Sequence, residues 1–225
     1  MAYLKKNNWN FETAMDNYYN EGAPGYVAPQ VEHTNARDLE RAFAPYQSEK
    51  GDLMGPDEIE RFCSDLGIDV MDPVILVIAK YCRAETMGEF KKQEFLQGMT
   101  AMGVDTIPKL RARLPQLRNE LKDARAFKDL YLFVFGFSRD TGNRNLSLDT
   151  AIGLWRLLLL PKYPMVADWL QFLEAREKKH DISRDTWNMA LDFFEMTKTR
   201  GVTEYQDDGA WPVIVDEFVD FTRSH

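Results

Sequence analysis

The spacing of apolar residues constrains the fold of this chain more than any other feature. Apolar residues recur at intervals of three and four in several segments, among them Ile59, Phe62, Cys63 and Leu66, then Trp187, Ala190, Leu191 and Phe194, then Trp211, Ile214, Val215 and Phe218. Residues at this spacing share one face of an α-helix. No pair of segments shows the clear alternation of half-buried β-strands. We therefore predict an all-α fold.

The positions of proline and glycine divide the chain into a short segment, a linker and one helical domain. Pro24, Gly25 and Pro29 mark residues 23–36 as the linker, which separates segment 1–22 from domain 37–223. The pattern predicts one short helix at 11–20. Further helices are expected near 37–46, 57–67, 72–83, 91–102, 106–122, 124–138, 147–160, 164–179, 184–199 and 211–222.

Composition limits the classes of function. The chain has 225 residues, with 36 acidic against 28 basic side chains, so nucleic acid is a poor partner and a basic protein surface is a better one. No apolar run is long enough to span a membrane, and the N-terminus lacks the apolar stretch of a signal peptide. Cys63 and Cys82 fit no disulfide or zinc pattern, which favours a reducing compartment, cytoplasm or nucleus.

The sequence offers no catalytic motif. The three histidines, His33, His180 and His225, have no Cys, Ser or Glu partner at a recognisable spacing. There is no phosphate-binding glycine loop and no nucleophile elbow. We expect neither a catalytic residue nor a cofactor.

One stretch resembles a calcium-binding loop that has lost its ligands. Residues 83–94 keep Gly88, Phe90 and Glu94 at the sixth, eighth and last of the twelve positions. Arg83 and Met87, however, stand where two oxygen ligands are needed. We expect the helix-loop-helix geometry of an EF-hand without a metal site.

Two surfaces remain as candidate binding sites. Apolar residues on the inward helix faces can be plain core or can line a groove for an amphipathic helix. The last 25 residues, 201–225, carry six acids against one base, Arg223. Asp185 can be an ordinary carboxylate in the first turn of a helix and Asp216 part of a solvated helix face, or both can belong to an acidic patch for a basic partner.

Three motifs carry a resemblance to a known family. RAETMGEFKKQEFLQGM at 83–99, RDTWN at 184–188 and GAWPVIVDEF at 209–218 resemble the defective-in-cullin-neddylation family, in the same order and at matching distances. The resemblance covers residues 37–223, the potentiating-neddylation domain of that family. It implies an all-α domain in which two EF-hand-like helix-loop-helix units without calcium sites pack on a C-terminal helical half.

The resemblance also implies a function. Members of the family promote transfer of a ubiquitin-like modifier onto cullins without catalysing the reaction themselves, beside the RING subunit of the cullin-RING complex. Their cullin-binding patch corresponds here to Asp185, Ala210 and Asp216, which would bind the C-terminal winged-helix region of the cullin. Asp185 and Asp216 are also the acids to which the charge pattern points. We expect a monomer.

A second site is implied by the same resemblance. It is an apolar pocket for the acetylated N-terminus of the conjugating enzyme, and by alignment it involves Ile59, Ile75, Ile78, Met87, Phe90, Phe137, Leu154 and Leu157. Some relatives have a glutamine where this chain has Met87, so the polar contact of that side chain is lost here. Either the backbone supplies a replacement hydrogen bond or the affinity differs.

Segment 1–22 resembles the last two helices of a ubiquitin-associated domain. A complete domain has three helices, so ubiquitin is an alternative partner that the loss of core disfavours. The rival interpretations are thus a ubiquitin-binding adaptor, which would use residues 1–22, and an EF-hand-like protein, which would respond to calcium.

Overall fold

A computed structural model describes residues 34–49, 51–176, 179–200, 205 and 211–224. For Thr199 and Arg200 it describes the backbone only. The predicted segment 1–22 with its helix, nearly all of the linker, and Ala210 lie outside the described residues. The described residues belong to one compact unit, which begins at Thr34.

The first half of this unit consists of two helix-loop-helix pairs. The first pair is α1 (Ala36–Phe43), continued by a 3₁₀ turn (Ala44–Tyr46), and α2 (Pro56–Leu66). The second pair is α3 (Val74–Cys82) and α4 (Lys92–Ala101). The loops are joined by two short antiparallel strands, β1 (Leu53–Met54) and β2 (Phe90–Lys91), with Met54 opposite Phe90.

Six helices follow, and their starts are encoded locally. They are α5 (Ile107–Glu120), α6 (Ala124–Phe137), α7 (Leu148–Leu158), α8 (Val166–Ala175), α9 (Arg184–Arg200) and α10 (Val213–Ser224). The side chains of Thr106, Asp123 and Ser147 accept hydrogen bonds from first-turn N–H groups of α5, α6 and α7. Such caps satisfy backbone donors that have no partner within the helix.

Aromatic side chains dominate the core of both halves. In the first half, the Phe62 ring lies 5.3 Å from that of Tyr46 and 5.7 Å from that of Phe95. In the second half, Trp155 is stacked on Trp187 with ring centroids 5.3 Å apart and meets Trp169 edge-on. These residues belong to one continuous buried cluster, so the two halves share a core.

The all-α prediction is confirmed, and all ten helices predicted between 37 and 222 are present. Two details differ. The helix predicted for 164–179 ends at Ala175, because Arg176 has an extended backbone with ψ 132°. The two strands were not predicted, since two residues are too few to show an alternating pattern. Within the described part of the chain, no helix has the length and apolar character that crossing a membrane requires.

Candidate functional site: an apolar cavity and an acidic helix end

An apolar cavity opens between the two helix-loop-helix pairs and the end of α6. Its volume is about 150 Å³. We call it the apolar cavity throughout. It is lined by Ile59, Val70, Ile75, Leu76, Ala79, Met87, Gly88, Phe90 and Phe137. A concave site with this lining suits a small apolar group better than a charged one.

Five of the eight residues predicted for the pocket line this cavity. They are Ile59, Ile75, Met87, Phe90 and Phe137. Ile78, Leu154 and Leu157 do not line it. Ile78 and Leu154 are buried in the core, at 1% and 4% exposure, and Leu157 packs against the core.

Val70 is the lining residue with the weakest signal in the sequence. It lies in the loop between α2 and α3, outside any helical periodicity, and 45% of its surface is exposed. The neighbouring Met71 is 62% exposed. Exposed apolar residues in a loop are the signal that could have indicated it, because such residues are common at binding surfaces.

Met87 lies at the mouth of the cavity, and its backbone is already engaged. Its N–H donates a hydrogen bond to the Phe137 carbonyl over 3.1 Å. The Met87 side chain is 49% exposed. The Met87 N–H is therefore occupied in this conformation and does not replace the side-chain hydrogen bond that glutamine would make.

Glu94, the last residue of the loop that resembles a calcium site, accepts hydrogen bonds from the backbone of that loop. Its carboxylate accepts a hydrogen bond from the Lys91 N–H over 2.9 Å and another from the Glu85 N–H over 3.3 Å. The Lys91 ammonium lies 2.5 Å from a Glu85 oxygen and 3.9 Å from Glu94. The Lys91 hydrogen bond lowers the pKa of the Glu85 carboxyl. A lysine side chain thus supplies positive charge between the acids of this loop.

Glu58 has the corresponding role in the first pair, where it accepts a hydrogen bond from the Gly55 N–H over 3.0 Å. Both glutamates therefore act as capping residues at the start of the second helix of a pair. Among the described residues there is no group of three or more His, Cys, Asp or Glu arranged to hold a metal ion.

Asp185 lies in the first turn of α9 and is exposed. Ser183 begins this helix, because its hydroxyl accepts from the Thr186 N–H over 3.0 Å and its carbonyl accepts from the Trp187 N–H. The ring of Trp187 is fully buried and anchors the first turn to the core. The backbone that carries Asp185 is consequently held in place at the surface, at the positive end of the helix dipole.

Asp216 lies in the first turn of α10, half-buried. The hydroxyl of the buried Tyr205 donates a hydrogen bond to one of its carboxylate oxygens, Oδ1. Burial, followed by the negative charges of Asp220 and Glu217, raises the pKa of the Asp216 carboxyl. Asp185 and Asp216 thus both lie in the first turn of a helix, as the second residue of α9 and the fourth of α10. The third predicted residue of the patch, Ala210, lies outside the described residues.

A cleft of about 370 Å³ brings the starts of these two helices together. Thr186, next to Asp185, and Glu217, next to Asp216, both line it, together with Val213 and Ile214 of α10. Glu217 is paired with Arg176, which reduces its net charge at the surface. Asp220 lies 4.0 Å from Arg223 and is also partly compensated.

The two thiols are poorly suited to nucleophilic chemistry. Cys63 and Cys82 are free and buried. Burial is the main cause that raises the pKa of the Cys63 thiol to about 11 and that of the Cys82 thiol further still. A buried thiol with a raised pKa carries little of the reactive thiolate at neutral pH. His180 is exposed, whereas His33 and His225 lie outside the described residues.

Comparison with known proteins assigns the chain to a family. Residues 109–221 match the family model described as cullin binding. The chain is 36% identical to the Caenorhabditis elegans defective in cullin neddylation protein 1, over 100% of this chain and 84% of that protein. It is 34% identical to the human DCN1-like protein 5, over 93% of this chain and 87% of that protein.

A fungal relative is similar over an equally large part of the chain. The Yarrowia lipolytica defective in cullin neddylation protein 1 is 32% identical over 98% of this chain and 88% of its own length. The sequence motifs, the helical fold and these similarities agree with one another. The chain therefore belongs to the defective-in-cullin-neddylation family.

Proposed function

We propose that this protein promotes cullin neddylation as a non-catalytic ligase component that holds the cullin and the conjugating enzyme at the same time. The observation that carries the proposal is that one folded unit contains both an apolar cavity and two carboxylates at neighbouring helix starts. The family to which the chain belongs is the source of the partners' identities.

The acidic patch, Asp185, Ala210 and Asp216, binds the C-terminal winged-helix region of the cullin. Asp185 is exposed, and Asp216 is half-buried at the start of α10. The formal net charge of −8 also favours encounter with a basic surface. The cleft between α9 and α10 offers Val213, 70% exposed, as an apolar contact beside these charges.

The apolar cavity binds the acetylated N-terminus of the conjugating enzyme, whose N-terminal helix lies along the groove. Ile59, Ile75, Phe90 and Phe137 form walls that give no counter-charge to an ammonium group. Burial of an uncompensated charge is costly, whereas an acetyl amide is neutral and needs only its hydrogen bonds. The acetyl group is therefore required for tight binding.

Joining the two sites in one unit accelerates the transfer. A conjugating enzyme held next to a bound cullin meets the acceptor lysine at a high effective concentration. Restricting the mutual orientation of donor and acceptor also lowers the entropic part of the barrier. The protein needs no nucleophile for this role, in keeping with its two buried thiols. It acts as a monomer, without a cofactor, in the cytoplasm and nucleus.

Binding of each partner to a charge-reversed variant tests the cullin site. Asp216→Lys is expected to abolish cullin binding while leaving affinity for the acetylated peptide unchanged, as measured by titration calorimetry. Asp38→Lys is the matched control, since Asp38 is also a partly buried acid in the first turn of a helix, α1, in the other half of the fold. Normal cullin affinity of Asp216→Lys would show that the patch is wrongly assigned.

The acetyl requirement tests the apolar cavity. The peptide from the N-terminus of the conjugating enzyme is titrated in acetylated and free-amine forms. We expect a large loss of affinity, on the order of a hundredfold, for the free amine because its charge must be desolvated. Equal affinities of the two peptides would exclude the cavity as the site of the N-terminus.

A further inference from the structure

Tyr205 lies beside the acidic patch, and neither the sequence motifs nor the family comparison assign it a role. It is buried, with 6% of its surface exposed. Its ring packs edge-on against Phe193 of α9, with centroids 6.2 Å apart, and lies 6.3 Å from the ring of Trp211. Phe193 in turn meets Phe218 of α10. The ring of Tyr205 is therefore fixed between the two helices that carry the acids of the patch.

The hydroxyl of this fixed ring is directed at Asp216. It donates a hydrogen bond to Oδ1, across 11 residues of sequence. No donor among the described residues reaches the other oxygen, Oδ2. A carboxylate held through one oxygen keeps a defined rotamer and presents the second oxygen to a partner.

Without this hydrogen bond, the acidic groups around Asp216 would disfavour its ionised form. Asp220 and Glu217 on the same helix oppose its charge, although Arg223 and Arg176 partly compensate them. Arg223 also lies over the Tyr205 ring, 6.0 Å from its centroid. A hydroxyl that donates to a carboxylate favours the charged form of that carboxylate. Among the described groups, the Tyr205 hydroxyl is the donor nearest to the Asp216 carboxylate.

We propose that Tyr205 is a positioning residue for cullin binding, which orders the Asp216 carboxylate and keeps it ionised without touching the cullin. This inference rests on the proposed function of the acidic patch. Pre-ordering the side chain reduces the entropy that is lost when the partner binds. Ionisation is needed because a neutral carboxyl group would lose its attraction for Lys or Arg.

Removal of the hydroxyl alone tests the inference. Tyr205→Phe keeps the ring and its packing, and we expect the affinity for the cullin C-terminal region to fall about tenfold at neutral pH, as is usual for the loss of a hydrogen bond to a charged group. Tyr46→Phe is the matched control. Tyr46 is also buried and donates to Asp65 over 2.6 Å, but it lies in the first helical pair. It should leave cullin affinity unchanged.

The pH profile separates positioning from a merely structural effect. In the wild type, cullin affinity should fall on acidification as Asp216 is protonated, and this fall should begin above the usual aspartate range because its pKa is raised. In Tyr205→Phe the carboxylate loses a hydrogen bond to its charged form, so the midpoint of the fall should move to higher pH. An unchanged midpoint together with unchanged neutral affinity would overturn the inference.

A double-substitution cycle distinguishes the failure of this inference from failure of the proposed function. If Asp216→Ala leaves cullin affinity intact, the acidic patch itself is wrong. If Asp216→Ala weakens binding and Tyr205→Phe does not, the patch stands and the positioning role of Tyr205 is wrong. In the Asp216→Ala background, Tyr205→Phe should cause no further loss, since it acts through the carboxylate. A further loss of affinity in that background would contradict the inference. Unchanged affinity for the acetylated peptide serves as the check that every variant is folded.

Discussion

At the scale of single residues, Gly98 sets the distance between α3 and α4. A Cβ atom at this position would lie 2.3 Å from the Cys82 Sγ and 2.7 Å from the Cys82 Cα. The second of these contacts is with backbone, which cannot rotate away. The requirement for glycine here therefore comes from close helix packing, although the residue lies in the middle of a helix where glycine is otherwise unfavourable.

Gly98→Ala should lower the free energy of unfolding by at least about 2 kcal/mol, because the helices must separate to admit a methyl group. The measurement is urea denaturation followed by circular dichroism. Gly153→Ala is the matched control, since Gly153 is also helical but a Cβ there meets nothing within 4 Å. That variant should be more stable by about 0.5–1 kcal/mol. Equal effects of the two substitutions would refute the close-packing explanation.

At the mouth of the apolar cavity, the side chain of Met87 offers no strong hydrogen-bonding group. Met87→Gln places an amide at its mouth, where the Met87 side chain is half exposed. We expect the acetylated peptide to bind about three- to tenfold more tightly, as one added hydrogen bond would allow. Calorimetry with the acetylated and free-amine peptides measures the change. The gain should be confined to the acetylated form, and a uniform gain for both peptides would show that the amide does not recognise the acetyl group.

Residue identity alone predicted Asp216 but not Tyr205. An acid beside other acids is visible in the sequence. Its position in the first turn is not, because the helix predicted for 211–222 begins at Val213. The hydrogen bond from Tyr205 joins residues 11 positions apart that share no helical period. Contacts of this kind depend on tertiary packing, and the sequence carries no local signal for them.

At the scale of helices and strands, most of the fold was predictable because the starts of helices are encoded by neighbouring side chains. The caps Thr106, Asp123 and Ser147 immediately precede α5, α6 and α7. The ends were less predictable. The end of α8 at Ala175 has no glycine or proline directly after it, so the sequence pattern predicts a helix that continues to 179.

A buried hydrogen-bond network joins α6, α7 and α9. The Tyr131 hydroxyl accepts from the Trp155 indole over 2.8 Å and donates to the Trp187 carbonyl over 2.7 Å. The Trp187 indole donates to the Tyr131 carbonyl over 3.0 Å. Because Trp187 lies in the first turns of α9, this network fixes the position of the helix start that carries Asp185.

Tyr131→Phe should lower the free energy of unfolding by about 1–3 kcal/mol, because it leaves the buried Trp155 indole N–H without a partner and removes one hydrogen bond to the Trp187 carbonyl. Thermal and urea denaturation measure the loss. Tyr81→Phe is the control, since the Tyr81 hydroxyl donates to Glu120 in a partly exposed setting where water can replace it. A cost for Tyr131→Phe no larger than that for Tyr81→Phe would mean that the network contributes little.

At the scale of the whole molecule, the apolar cavity and the acidic helix starts are built by different elements. The cavity is formed by α2, α3, the loop before β2 and the end of α6, whereas Asp185 and Asp216 belong to α9 and α10. The family resemblance led to five of the nine residues that line the cavity. It could not separate Ile78 and Leu154 from the true cavity lining, because a core residue and a groove residue have the same apolar character.

The central claim is that one molecule holds both partners, and a complementation experiment tests it most directly. Single-turnover transfer of the modifier from the conjugating enzyme to the cullin is measured with wild-type protein, with Asp216→Lys, with Ile75→Arg, which blocks the apolar cavity, and with an equal mixture of the two variants. The account predicts acceleration by the wild type alone, since neither variant holds both partners and the mixture cannot join them. Recovery of the wild-type rate by the mixture would contradict it.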